Sequence, residues 1–287
     1  MFVFMEENNC PICHSKDTKA IFEDTLIKCS SCQHGWANLK LDHEFLQNLY
    51  ASNYFKGEEY ADYLADKEIL QLNFKKRLKK IVSQNPNLQS AIEIGCAYGF
   101  FYQNLQEVFP NINYQGFDIS ADAIDYATAN YGPNFSANNF LETASQKKVD
   151  AIFMWDVIEH LSDPSAFLKK ANTQCNKGAM IYLTTGDFGS LMSRIQGKKW
   201  RMIHPPTHLH YFTKKSIYRL LRQHGFEPIF IKYPTIHRSM GLIYYALFIL
   251  NKKSSKFHSW LYGKIPSKAI IPFNSFDIFF IGAKKID

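Results

Sequence analysis

The chain has 287 residues, 46% hydrophobic and 15% aromatic, enough to bury one large domain with a small companion. Its longest apolar run, residues 240–250, is about half the roughly 20 residues that a bilayer-spanning helix needs, and its first residues lack a leader's basic region, so a cytoplasmic protein is expected. The net charge of +7 is uneven: residues 1–190 sum to −7 and residues 191–287 to +14, which argues against a uniformly basic nucleic-acid coat and leaves the last third to attract an anionic partner.

Residues 1–40 form a Cys-rich head with little apolar periodicity. Cys10 and Cys13, then Cys29 and Cys32, are spaced C-x2-C-x15-C-x2-C. Each pair makes a tight knuckle that aims two sulfurs at one ion, and two knuckles complete a tetrahedral tetrathiolate site. The symmetric spacing favours structural Zn²⁺ over an iron–sulfur cluster, and a cytosolic setting disfavours disulfides. His14 and His34 adjoin the knuckles as spare ligands. Cys96 and Cys175 stand alone and are expected to be core thiols.

Residues 41–85 are expected to be a helical lid or linker. "HEFLQNLY" and "KEILQLNFKKRLKKIV" carry apolar residues at three- and four-residue spacing, and Pro86 stops the second run. Residues 86–287 then form the main domain. Strands are expected at 91–95, 113–119, 135–140, 151–157 and 179–184, with helices at 101–108, 121–130 and 166–173. Ser120 and Asp163 are placed as N-caps, the latter followed by Pro164 at the first helical position. Strict alternation of this kind argues for an α/β fold with a parallel sheet covered on both faces. Near the end, "KKSIYRLLRQHGF" reads as a helix closed by Gly225. "EPIFIKY" and "FDIFFIGAKK" read as strands, the second an antiparallel edge strand. An apolar and basic insert, residues 240–270, lies between them.

The joint "EIGCAYGF" after the first strand of the domain is where an open parallel sheet binds ligands. Gly95 and Gly99 let backbone approach a ligand with no Cβ in the way. The loop is neither G-x-G-x-x-G nor a Lys-Ser/Thr phosphate loop, so a pyrophosphate is disfavoured. Glu93 would bring a negative charge near, which suits a cationic ligand. Asp118, ending the next strand, is placed to accept hydrogen bonds from both hydroxyls of a ribose. Ribose, no pyrophosphate and a tolerated cation together point to S-adenosylmethionine.

Over roughly residues 45–287 the chain resembles the class I S-adenosylmethionine-dependent methyltransferases. The resemblance is carried by "EIGCAYGF", "GFDIS", "DAIFMWDVIEHLSDP" and "PPTHLHYFTKKSIYRLLRQHGF". It implies a Rossmann-like, seven-stranded sheet with the last strand antiparallel. It also implies that Glu93, Gly95, Ala97 and Gly99 line the methionine side, with Cys96 and Tyr98 at loop positions where the family often has Gly. Asp118 would hold the ribose, Ile119 would pack on adenine and Asn139 would face its edge. Asp156 and Val157 would lie under the cofactor. With its head, the chain looks most like bacterial methyltransferases acting on sugars or small metabolites, some of which carry such a zinc ribbon.

Methyl transfer requires in-line alignment, exclusion of water and removal of a proton from an O or N acceptor. His160, just past the fourth strand, is one candidate base; a His resembling it lies by the acceptor in sugar C-methyltransferases and ubiquinone-pathway O-methyltransferases. "HPPTHLHYF" supplies His204, His208 and His210, of which His208 is the second candidate. The sugar C-methyltransferases carry a Glu-His pair where this chain has Thr207-His208, so O-methylation is expected rather than carbanion chemistry. Asp156, Glu159 and His160 together raise a metal option. Tyr54 and Phe55 either pack as a helix face or form a lid whose rings attract a sulfonium. The insert, with its lysines, Trp260 and Tyr262, is a core helix and loop, a surface for an anionic or lipid-linked substrate, or a homodimer contact. RNA methylation is the rival activity, and a non-catalytic cofactor-binding scaffold is the second.

Overall fold

The computed structural model describes residues 9–39, 64, 66–143, 147–241, 244, 256–262, 264 and 269–286. Tyr54, Phe55 and most of the insert lie outside these residues.

In the head, β1 (Thr18–Ile21), β2 (Leu26–Cys29) and β3 (Gly35–Ala37) form an antiparallel meander. Helix α1 (Lys67–Gln84) follows, burying Phe74, Leu78 and Ile81 at helical spacing on one face. Strand–helix alternation then runs through β4 (Ser90–Ile94), α2 (Phe100–Val108), β5 (Asn113–Phe117), α3 (Ala121–Tyr131), β6 (Phe135–Ser136), β7 (Val149–Trp155), α4 (Pro164–Gln174) and β8 (Cys175–Gly186). Helix α5 (Leu191–Gln196), the short β9 (His210–Tyr211), α6 (Lys214–Gln223) and β10 (Phe226–Lys232) come next. A separate hairpin of β11 (Ile236–Ser239) and β12 (Ile270–Phe273) precedes the last strand, β13 (Ile278–Lys285). Ser120 and Asp163 cap α3 and α4 through Ala123 N–H and Ala166 N–H, and Thr213 and Ser216 form a reciprocal cap on α6.

The main sheet has seven strands in the order β10-β13-β8-β7-β4-β5-β6. Strands β8 to β6 in that order are mutually parallel, and β13 runs antiparallel to both its neighbours. The last strand is therefore antiparallel but not at the edge: it is inserted between β8 and β10. Its run Phe279 to Ala283 is buried throughout, as an interior strand requires. The strand expected at 135–140 is only Phe135–Ser136, because Asn139 caps a 3₁₀ turn over Phe140–Glu142 instead.

Period-two alternation sends Ile92, Ile94, Ile152, Met154, Ile181 and Leu183 to one face of the sheet, against Leu168, Ile217 and Leu221. Ala91, Ala151, Phe153, Trp155 and Tyr182 go to the other face, against Phe74, Leu78, Phe101 and Leu105. The chain builds outward from β4 through β5 to β6, then returns to β7 and β8 on the other side. The switch point lies between β4 and β7, and the crevice at their carboxyl ends is where such sheets bind ligands.

The head is tied to this domain. Strand β3 pairs with β9, Gly35 opposite Tyr211 and Trp36 opposite His210. His34 is fully buried at the seam, its Nε2 3.1 Å from His210 Nδ1 and its ring 4.9 Å from that of Phe212.

Candidate active site

The loop between β4 and α2 turns through left-handed backbone at Gly95 (φ 74°), Ala97 (φ 44°) and Gly99 (φ 74°). Gly95 and Cys96 N–H both donate to Phe117 O, at 2.7 and 3.0 Å, which folds the loop over the end of β5. A Cβ on Gly95 would sit 2.4 Å from Val157 Cγ2, and one on Gly99 would sit 3.0 Å from the Phe135 and Tyr131 rings. These are close approaches that only glycine permits, and they pack the loop against the side chains of Val157, Phe135 and Tyr131.

Asp118 anchors the loop. Its Oδ2 accepts Ala97 N–H at 2.8 Å and its Oδ1 accepts Ser120 N–H at 2.9 Å. Each carboxylate oxygen has a second acceptor site, which fits the pair of hydroxyls on a ribose. Burial pushes this carboxyl up, while N–H groups of Ser120, Ala97 and Ile119 hold its charged form. Ile119 beside it is 53% exposed, an apolar face at the crevice rim.

Other expected residues sit differently. Glu93 is buried beneath the loop, where the Tyr114 hydroxyl donates to Oε2, and burial pushes its carboxyl well above the usual range. The free negative charge expected at the methionine side is therefore masked by burial. The Tyr98 ring turns into the core, stacked on Phe100 and edge-on to Tyr126. Cys96 is buried, and its thiol is pushed well up by that burial. Asn139 spends Oδ1 on Leu141 N–H and donates through Nδ2 to Glu142 Oε1.

After β7, Asp156 adopts φ 55° and donates its N–H to Thr184 Oγ1 at 3.0 Å. Its carboxylate lies 3.9 Å from Arg77, whose guanidinium covers Trp155 at 5.0 Å. Arg77 lies on α1, far away in sequence, and no local motif marks it. The same helix helps to line a cavity of about 250 Å³ with Asn73, Lys76, Arg77 and Lys80 against Lys232 and Tyr233.

Three residues beyond Asp156, the chain builds a second cluster. Glu159 O accepts Leu209 and His210 N–H at 2.8 and 3.0 Å, clamping the 204–210 loop onto the turn after β7. His160 Nδ1 lies 2.8 Å from Thr207 O, and His208 Nδ1 lies 2.9 Å from Met202 O. A carbonyl only accepts, so both Nδ1 atoms carry the hydrogen and both Nε2 atoms carry the lone pair. The two rings meet edge-on at 4.5 Å, and His204 lies 3.9 Å from His208. Burial holds His208 well below the ordinary histidine range, and the charges of His160 and His204 add to this. Glu159 is 2% exposed, and among the described residues neither carboxylate oxygen has a well-formed hydrogen-bond partner, although the Thr185 side chain and a backbone N–H lie close enough to favour its charged form. Burial pushes it well up, as does the Asp156 charge. The expected trio of Asp156, Glu159 and His160 is thus not what forms: one ligand-capable atom each of Glu159, His160 and His208 lies within 4.8 Å of the others.

In the head, Sγ of Cys10 and Cys32 are 3.4 Å apart and those of Cys13 and Cys29 are 3.5 Å apart. A zinc tetrathiolate with bonds of about 2.3 Å has sulfur–sulfur edges of about 3.8 Å, so the four residues fit the ion.

A parallel sheet with an antiparallel strand inserted, a glycine loop after β4 and an acid after β5 together define a class I S-adenosylmethionine-dependent methyltransferase. The chain belongs to the methyltransferase-domain family, which it matches over residues 58–229. It is 25% identical over 137 residues to malonyl-[acyl-carrier protein] O-methyltransferase 2 of Ilyobacter polytropus, covering 46% of this chain and 52% of that one. The chain thus spans about half the length of that curated relative. Among solved structures, a SAM-dependent methyltransferase from Archaeoglobus fulgidus is similar with TM-score 0.53 and 19% identity, over 78% of this chain and 100% of that one. Magnesium protoporphyrin IX methyltransferase from Synechocystis, solved with bound SAH, is similar with TM-score 0.53 and 15% identity, over 85% and 100%. These two share the fold. Among the described residues, no helix is long and apolar enough to cross a membrane.

Proposed function

We propose that this protein moves the methyl group of S-adenosylmethionine onto an oxygen of a small-molecule acceptor, sugars included, with the His160–His208 pair taking the acceptor's proton. The observation that carries it is the pair itself: two imidazoles whose Nδ1 hydrogens are spent on backbone carbonyls, brought together from the turn after β7 and the 204–210 loop. When bound, S-adenosylmethionine supplies an electrophilic methyl group on a sulfonium. Gly95 and Gly99 admit its backbone-close portion, Asp118 takes the ribose hydroxyls, Ile119 offers an apolar face to adenine, and Asp156 and Val157 close the floor. Burial keeps His208 unprotonated, which leaves its Nε2 lone pair available but also weakens it as a base. An O-methyltransferase among the relatives supports an oxygen acceptor. The cavity lined by Lys76, Arg77, Lys80 and Lys232 suits an acceptor with an anionic group. Cys10, Cys13, Cys29 and Cys32 hold a structural Zn²⁺.

Calorimetry with S-adenosylmethionine, followed by S-adenosylhomocysteine release against a panel of hydroxylated and anionic small molecules, tests this. His160→Ala should bind S-adenosylmethionine like the wild type and turn over about 10²–10⁴-fold more slowly. A wild-type chain that does not bind S-adenosylmethionine would overturn the proposal.

A further inference from the structure

We infer that Glu159, His160 and His208 form a site for a divalent transition-metal ion, separate from the four-thiol head, whose open position takes the acceptor's oxygen. The inference rests on the methyl-transfer function above and changes only how the acceptor loses its proton.

Three independent features converge on it. The first is the donor set: two imidazoles and one carboxylate, with ligand-capable atoms within 4.8 Å of one another. Three protein ligands of this type leave a zinc-class ion one open position, as in catalytic rather than structural sites. The second is Glu159. A carboxyl at 2% exposure is costly to ionise; the Thr185 side chain and a backbone N–H offset part of that cost, and a proton or a cation would relieve the rest. The third is the orientation of the imidazoles. Metal-bound histidines donate the ring N–H that faces away from the ion to a carbonyl or carboxylate, which fixes the tautomer. Thr207 O and Met202 O hold His160 and His208 in that way. The clamp from Leu209 and His210 N–H to Glu159 O then sets the distance between the two segments that supply the ligands.

A cation here would bind the acceptor hydroxyl and acidify it. The proton passes to solvent, the oxygen lone pair forms the new O–CH₃ bond, and the C–S pair leaves with the sulfur of S-adenosylhomocysteine. In this arrangement the histidines are ligands, and Glu159 offsets the ion's charge.

The test uses the full chain with its head already filled with Zn²⁺, titrated with Co²⁺. The expected result is a second ion per chain. It should give visible d–d absorption without the thiolate charge-transfer band that Co²⁺ in the head would show. Glu159→Gln and His208→Gln should each weaken Co²⁺ binding about 100-fold or more, no less than the loss of an outer partner costs, while the head keeps its ion. Should either variant fail to fold, the wild-type count still decides. One ion per chain in the wild type, or a Glu159→Gln chain that takes Co²⁺ as the wild type does, overturns the inference. S-adenosylmethionine calorimetry on the same samples separates the two ideas. Intact cofactor binding without a second ion removes the metal and leaves the histidines as bases, whereas absent cofactor binding removes the methyl-transfer function and leaves the Co²⁺ count to judge the site alone.

Discussion

Two clusters of metal-competent side chains lie among the described residues, and they are built on different plans. In the head, each pair of thiols comes from one knuckle, four residues from end to end, and all four sulfurs point at one another, Cys10 to Cys32 at 3.4 Å and Cys13 to Cys29 at 3.5 Å. At the crevice, Glu159 and His160 come from the turn after β7, and His208 from a loop clamped there by two backbone hydrogen bonds. The first cluster is closed by its own ligands and can only cross-link chain to chain. The second offers three candidate ligands, one fewer than a closed tetrahedral site needs. Closure suits stability and openness suits chemistry. Substitutions in the head should therefore act mainly on folding, and those in the crevice mainly on binding and turnover.

The largest effect expected is in the head. Cys29→Ser removes one of the four thiols proposed to hold zinc and should cost about 4 kcal/mol or more, as loss of a structural metal does. A thermal melt with and without chelator checks it: the wild type should fall to the variant's midpoint when chelated. Because β3 pairs with β9, and His210 of that strand lies two residues past His208, turnover should fall along with stability. A variant that melts like the wild type yet loses turnover would erase the contrast.

That contrast also explains what could be read from the amino-acid order. The four cysteines are legible because a knuckle is a local object whose ligands are three residues apart. The glycine loop and Asp118 are legible for the same reason: each is fixed by the end of one strand. Helix caps at Ser120 and Asp163 follow from side chains three residues from the N–H they accept. Arg77 beside Asp156 is not legible, because α1 reaches β7 only through packing of Phe74 and Leu78 on the sheet. Nor is the partition of the His-rich loop, where His204 and His208 go to the crevice and His210 to the head seam, since only the fold brings His160 and His34 to either side. The interior place of β13 is equally hidden: an antiparallel final strand can pair on one side or on two, and its neighbours β8 and β10 decide.

Within the crevice, Asp118→Ala should weaken S-adenosylmethionine binding about 100-fold, or about 2.7 kcal/mol, by calorimetry, since a charged acceptor for two hydroxyls is lost. Its effect on denaturant stability should be smaller, about 1 kcal/mol, from the unpaired N–H groups of Ala97 and Ser120. A stability loss larger than the binding loss would make Asp118 a structural post like the head cysteines. Gly95→Ala is the steric counterpart. Its Cβ would meet Val157 Cγ2 at 2.4 Å on left-handed backbone, so about 2 kcal/mol of stability should go. Adding Val157→Ala should restore the part due to the clash and leave the part due to φ, a non-additivity read directly from chemical-denaturation midpoints.

The smallest effect tests whether the crevice holds a hidden charge. Burial raises the Glu93 carboxyl well above its usual 4.5. The folded chain then keeps a proton there at pH values where the unfolded chain has lost it. Stability from this group is fully present below pH 4.5 and falls as pH rises toward the folded value, because the native state binds more protons. Gln cannot ionise, and it can still accept the Tyr114 hydroxyl. Glu93→Gln should therefore gain on the wild type as pH rises from 5 to 8, the gap widening with pH. Urea midpoints at the two values measure the gap. A gap that stays flat would mean that Glu93 is ionised in the native state throughout. Its charge would then be available to a cationic ligand above the loop, and the site would bind S-adenosylmethionine through Glu93 as well as Asp118.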